Sequence, residues 1–203
     1  MEISFNDQQI ELRKETNVID DFVTDMASIV SAHFRYAIVS GYIPILFGKI
    51  RATEDIDFFI DAADVVKFPK FCEEFSRKGY YILNAASVND ALALLKAGDA
   101  IRVAENGHFA PNAEIKIAKD VWGKRALNER LKISINSKSI YIGKIEQGIA
   151  YKLYLGSRKD IDDACHMYLL FTGLGKLDKK RLEVDCKSLG VSSDILEECK
   201  NGQ

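Results

Sequence analysis

Cysteine and histidine are scarce in this chain and poorly spaced for metal binding. Cys72, Cys165, Cys186 and Cys199 contain no Cys-x-x-Cys pair, and His33, His108 and His166 are scattered. Zinc sites draw ligands from closely spaced pairs, so this pattern argues against zinc and against a disulfide framework, and it offers no histidine as a catalytic base. No apolar run reaches the roughly eighteen residues a membrane helix requires, and the acidic, polar amino terminus is unlike a signal peptide. The expected setting is therefore cytoplasmic, with no membrane partner. No Pro/Ser-rich linker or internal repeat divides the chain, and disorder is expected only in the tail, 201–203.

What is present is an ordinary globular composition. The 203 residues are 47% apolar and 29% charged, enough for one good core or for one core with a helical annex. The net charge of -2 conceals an asymmetry: residues 1–115 hold 11 Lys+Arg against 18 Asp+Glu, and residues 116–187 hold 16 against 9. An acidic half beside a basic half suits a carboxylate site next to a polyanion-binding surface, although solubility alone also produces such patterns.

Apolar positions Val18, Ile19, Phe22, Val23, Met26, Ile29 and Val30 recur at helical spacing and predict a helix over 16–34, capped by Thr16. A short strand over 36–40 follows, then a turn at Gly41, a short apolar helix over 42–47 and a stop at Gly48. Beyond residue 60 the pattern predicts a helix over 63–78, strands over 80–83, 100–104 and 113–118, and a helix from the Ser87 cap to Lys96. After Asp120 helices dominate, apart from a hairpin over 131–142. The helices expected there cover 146–155, 158–171, 178–188 and 193–200. Alternating strands and helices predict an α/β (α+β) fold, a mixed sheet flanked by helices over 1–143, with a carboxy-terminal helical portion over 144–203 packed on it.

The most informative stretch is Arg51-Ala52-Thr53-Glu54-Asp55-Ile56-Asp57-Phe58-Phe59-Ile60. On a strand, Asp55 and Asp57 emerge on one face while Ile56, Phe58 and Ile60 pack on the other. Two carboxylates about 6 to 7 Å apart repel by about 2 to 3 kcal/mol at an effective dielectric near 20, so either a cation joins them or they face water at a strand end. The strand Ala113-Glu114-Ile115-Lys116-Ile117 repeats the pattern and offers Glu114 as a third carboxylate. Three such groups suit two magnesium ions, which take oxygen ligands and neutralise phosphate charge.

Taken together and in order, Ser40-Gly41-Tyr42, Arg51-x-Thr53-x-Asp55-x-Asp57 and Glu114 resemble the nucleotidyltransferase fold of the DNA polymerase beta superfamily. The resemblance implies that Asp55, Asp57 and Glu114 bind two Mg2+ ions. It also implies that Ser40 and Gly41 face the triphosphate of a bound nucleoside triphosphate, with Arg51 and Thr53 nearby. Turn and cap roles remain open for Arg51 and Thr53. Ala150-Tyr151-Lys152 and Ser157-Arg158-Lys159-Asp160-Ile161-Asp162-Asp163 resemble a helical motif of AbiEii-like nucleotidyltransferase toxins and their prokaryotic relatives. There the lysine and a downstream aspartate belong to the active site, which implies catalytic roles for Lys152 and Asp163 and a phosphate clamp at Arg158. Gly156-Ser157 reads instead as a helix stop and a fresh capped start, so helix-end electrostatics is the alternative for these charges.

One departure stands out: Tyr42 occupies a place where these enzymes have glycine or serine, so its ring would stack on a base or obstruct the triphosphate. The implied activity is transfer of a nucleoside monophosphate from a nucleoside triphosphate to an acceptor hydroxyl, with release of pyrophosphate. The acceptor would be an RNA 3' end, a protein or a small molecule. The alternatives are a catalytically silent nucleotide- or partner-binding module, the same chemistry in a toxin held by an antitoxin protein, and a metal-dependent nuclease, which leaves the glycine turn and Lys152 unexplained.

Overall fold

The computed structural model describes residues 1–6 and 9–199. The expected tail at 201–203 and the last residue of the expected final helix, Lys200, lie outside the described residues. Two compact units divide the chain: Met1–Tyr42 with Ala52–Gly143, and Ile43–Arg51 with Lys144–Gln203. Residues 43–51, which the sequence reading places with 1–143, thus group with the carboxy-terminal residues.

The first unit contains a nine-stranded mixed sheet in the order β1-β2-β8-β9-β3-β4-β7-β6-β5. In chain order these strands are β1 (Glu2–Asn6), β2 (Gln9–Arg13), β3 (Tyr36–Val39), β4 (Asp55–Ile60) and β5 (Tyr80–Ile82). They continue with β6 (Ile101–Glu105), β7 (Asn112–Ile117), β8 (Leu131–Ile135) and β9 (Lys138–Ile142). Its helices are α1 (Val18–His33), α3 (Phe68–Arg77), α4 (Val88–Ala97) and α5 (Val121–Asn128); α2 (Tyr42–Leu46) spans the boundary between the units. Buried Ile56, Phe58 and Ile60 alternate with more exposed Asp55, Asp57 and Phe59 along β4, the period-two burial expected of that strand. On the face that carries Phe59, Ala126 and Leu127 of α5 pack with Ala37, Val39 and Phe59.

Local signals set most boundaries. Ser87 caps α4, Gly98 ends it in the left-handed conformation, and Gly48 takes φ 91° just beyond α2. Three expectations need correction. Asn17, not Thr16, caps α1, through a reciprocal capping box with Asp20. The helix expected over 63–78 is a 3-10 turn, Ala62–Lys67, followed by α3, whose start carries a proline in the first turn, where its missing N–H costs nothing. The amino-terminal strands β1 and β2 had no counterpart in the sequence reading.

The largest correction concerns Tyr42. Its ring is fully buried, and its hydroxyl donates to Asp20 Oδ1 at 2.8 Å; Asp20 is itself buried and ion-paired with Lys14 at 2.9 Å. The ring therefore neither faces a base nor obstructs a ligand; it completes the solvation of a buried carboxylate at the start of α1. Burial and the Asp20 charge hold the Tyr42 hydroxyl well above the ordinary phenol range. A Tyr42→Phe variant is expected to lose about 1.5 to 3 kcal/mol, the range for a hydrogen bond to a charged group, measured by urea unfolding.

The second unit is helical: α6 (Ile145–Leu155), α7 (Arg158–Gly173), α8 (Lys179–Leu189) and α9 (Asp194–Glu198). Gly156 ends α6 at φ 69° and Ser157 caps α7 by accepting from the Asp160 N–H, so the stop and restart read from the sequence are both present. Phe47 packs edge-on against Phe171 with centroids 5.0 Å apart, which ties segment 43–51 to α7. Cys165 of α7 is joined to Cys199, just past α9, as a disulfide. The cysteine spacing argues against a disulfide framework, yet α7 and α9 pack together, which brings positions 34 residues apart to a Cα separation of 5.8 Å. Among the described residues, no helix is long and apolar enough to cross a membrane.

Candidate active site on the sheet

Strand register brings the acidic residues together. β4 and β7 run parallel with Asp55 opposite Asn112 and Asp57 opposite Glu114, while β6 runs antiparallel to β7 with Arg102 opposite Glu114. Asp57, Glu114 and Arg102 thus form one row across three adjacent strands, and Asp55 with Asn112 forms the next row on the same face. Glu114, from a distant stretch of sequence, therefore stands beside the aspartate pair.

The charges on this face are already engaged. Arg102 Nη2 reaches Asp55 Oδ1 at 2.8 Å, and its Nε lies 3.3 Å from Glu114 Oε1 and from Asn112 Oδ1. Asn112 donates from Nδ2 to Asp55 Oδ1 at 2.7 Å, and Lys116 Nζ stands 3.5 Å from Glu114 Oε2. Asp57 is set differently. Burial pushes its carboxyl above the ordinary aspartate range, Lys116 opposes that shift, Glu114 adds to it, the Ser40 hydrogen bond lowers it and Asp55 raises it again. Asp57 thus has a raised affinity for a proton.

Ser40 and Gly41 form the turn after β3, where Val39 pairs with Asp57. The left-handed position in this turn is Ser40, at φ 66°. A side chain in that conformation costs about 1 to 2 kcal/mol, and here the hydroxyl gains a hydrogen bond to the Asp57 carboxylate. Comparing Ser40→Gly with Ser40→Ala isolates the backbone cost, because both lose the hydroxyl and only alanine keeps the strain. The glycine variant is expected to be the more stable by about 1 kcal/mol in urea unfolding. Thr53 Oγ1 donates to the Asp55 carbonyl at 3.1 Å, a local brace on the entry to β4.

The other expected residues lie in the helical unit. Asp163, fully buried on α7, faces Lys152 Nζ at 2.8 Å, Arg51 Nη2 at 3.1 Å and Lys49 Nζ at 3.2 Å. These contacts hold by charge, since neither carboxylate oxygen has an aligned hydrogen bond. Lys152 also donates to Asp160 Oδ1 at 3.0 Å. Burial of Asp160 works against its charge, but Ser157 and Lys152 outweigh it and hold the carboxyl below the ordinary range. Arg51, Lys152 and Asp163 are thus assembled in one cluster, while Arg158 is exposed at the start of α7. His166 sits at the margin of this cluster, its Nε2 3.1 Å from the Phe47 carbonyl, and burial lowers its affinity for a proton.

Sequence reasoning missed Arg102, Asn112 and Lys49. A signal existed for Arg102: an arginine between Ile101 and Val103, both fully buried, must share a sheet face with whatever charge lies on the neighbouring strand. In donor chemistry, three carboxylates on adjacent strands match what a hard divalent cation takes. Among the described residues no group of three His, Cys, Asp or Glu side chains is arranged to hold a metal ion, and Asp55 and Glu114 are turned onto Arg102.

Among solved structures, the chain is similar to an antigenic nucleotidyltransferase-like protein from Paracoccidioides brasiliensis. The two share 18% identity with a TM-score of 0.55 over 90% of this chain and 92% of that one. It also aligns over 88% of its length with 58% of a tRNA nucleotidyltransferase solved with a primer tRNA and an incoming ATP analog. That alignment is at 14% identity with a TM-score of 0.32. No family model and no curated protein matches the chain. The mixed sheet flanked by helices is therefore that of a nucleotidyltransferase-like fold.

Proposed function

We propose that the protein transfers a nucleoside monophosphate from a nucleoside triphosphate to an acceptor hydroxyl with release of pyrophosphate, and that Asp55, Asp57 and Glu114 are the residues that would hold Mg2+. The observation that carries this reading is the register: Glu114 lies directly opposite Asp57 on a parallel neighbour, beside Asp55. Bound there, Mg2+ would lower the pKa of the acceptor hydroxyl and offset the charge of the leaving pyrophosphate. In the reaction the acceptor oxygen forms a bond to the α-phosphorus, the bond from that phosphorus to the bridging oxygen breaks, and the hydroxyl proton passes to solvent.

Around this chemistry the chain's own groups have separable tasks. Ser40 orients Asp57 through its hydroxyl, and with Gly41 it offers the turn to the phosphates. Asn112 fixes the Asp55 carboxylate, and Lys116 offsets charge at Glu114. We assign phosphate-binding roles to Arg51, Lys152 and Arg158 on the motif resemblance, with Asp163 positioning the first two. An RNA 3' end is the acceptor we favour, from the basic balance of residues 116–187. An AbiEii-like toxin setting, with an antitoxin protein as partner, is part of the same reading.

A catalytically silent module is the second reading, favoured by the neutralisation of Asp55 and Glu114 within the sheet. Incubating the protein with each labelled nucleoside triphosphate, Mg2+ and total RNA separates the two. Label on RNA supports transfer to a nucleic acid, label on protein moves the acceptor, and no label with any nucleotide leaves the silent module.

A further inference from the structure

The acidic face already carries a cation of its own, Arg102. Arg102 spans Asp55 and Glu114 with two different nitrogens, and its Nε also meets Asn112 Oδ1. A guanidinium bridging Asp55 Oδ1 and Glu114 Oε1 places its positive charge between the two carboxylates, where a divalent ion joining them would sit. Its side chain is 42% exposed, so it can swing into solvent without opening the core. Asn112, by contrast, is buried and stays in place against Asp55.

We propose that Arg102 is a built-in counter-ion that holds the cation position between Asp55 and Glu114, so that a divalent metal ion enters this face only by displacing the guanidinium. The inference rests on the reading of Asp55, Asp57 and Glu114 as metal ligands. It accounts for two observations together: three carboxylates share one face, and yet among the described residues no metal-ready group is assembled. A displaced guanidinium is also a planar fork suited to phosphate oxygens, so metal entry would release a phosphate-binding group beside the metal. The resting protein is spared the repulsion of bare carboxylates, and an ion must compete for its place.

The test is calorimetric titration of Mn2+ and Mg2+ into the full chain, without nucleotide, for the parent, Arg102→Met and Arg102→Lys. Removing the competing cation is expected to tighten Mn2+ binding about tenfold in the methionine variant, the worth of about one charge-assisted hydrogen bond. The lysine variant keeps the charge but loses the fork, and it should tighten binding by a smaller factor. Arg102→Met should also melt below the parent without metal and recover more of its melting temperature when Mg2+ is added. Should Arg102→Met fail to fold, the lysine variant carries the comparison.

Equal affinity in all three proteins would overturn the proposal while leaving the metal reading in place. Weaker binding in Arg102→Met would overturn it too, by showing that the guanidinium assists the ion. Absence of metal binding in every protein would remove the underlying assignment and this inference together.

Discussion

Asp57→Asn is expected to abolish nucleotide transfer and to melt at a higher temperature than the parent at pH 7. The two effects share one cause. Burial makes the charged carboxylate costly in the folded protein, with Glu114 and Asp55 adding to that cost and Lys116 and Ser40 only partly relieving it. Asparagine keeps an acceptor for the Ser40 hydroxyl and removes the charge, but as a neutral ligand it holds a divalent ion poorly. The pH dependence follows from the raised affinity for a proton. Below the ordinary aspartate value of 3.8 the side chain is neutral in both folded and unfolded states, and the variant gains nothing. As pH rises through the folded value, the unfolded chain releases its proton first, and the parent loses stability that the variant keeps. The melting difference should therefore open above pH 3.8 and be complete once Asp57 is ionised in the folded protein. Calorimetric scans across that range check it. A constant difference at all pH values would remove Asp57 as the titrating group, and full incorporation of label by the variant would remove it from catalysis.

Asp163→Asn is expected to cost about 3 to 5 kcal/mol of stability, the range seen when one partner of a buried ion cluster is removed. Asp163 is fully buried and is the shared counter-charge for Lys49, Arg51 and Lys152, so its neutralisation leaves three mostly enclosed cations facing one another. Asp160 can answer only part of that charge, through Lys152. Pairing Asp163→Leu with Lys152→Met removes one charge of each sign and should recover part of the loss, because apolar groups of similar volume replace buried ion pairs at little cost. Urea unfolding of the two proteins gives the comparison. A single variant within about 0.5 kcal/mol of the parent, the range of an unremarkable surface change, would show that the cluster stabilises nothing.

The parts of this molecule that could be read in advance are those governed by neighbours in sequence. The alternation in β4 and β7, the Ser87 and Ser157 caps and the left-handed Gly156 all obey rules spanning a few residues. What could not be read depends on partners far along the chain. Tyr42 looks like an intrusion until Asp20, 22 residues earlier, supplies its hydrogen bond. Arg102 reaches Asp55 across 47 residues of sequence, and only strand order decides that they meet. The strand β2 does alternate, with Ile10 and Leu12 buried between polar neighbours, but its parallel pairing with β8 is a contact no local pattern reports. For the same reason the wide spacing of the cysteines argues against a disulfide framework, while the fold joins Cys165 to Cys199 across 34 residues. In the site, the acidic residues were legible because strand alternation sorts faces. The cations that answer them were not, because pairing across strands and helices is a property of topology.

Segment 43–51 leaves the sheet unit between two of its most important pieces, the Ser40 turn and the Asp55 strand, and rejoins only at residue 52. The chain therefore passes between the two bodies three times, and no single cut separates them. Stopping translation after Gly143 would strand Lys49 and Arg51 without Asp163, and would leave the normally buried Ile45, Leu46 and Phe47 bereft of the helices grouped with them. Deletion mapping is thus a misleading tool for this protein: a shortened version that fails would report broken folding, and only point substitutions can assign work to either half.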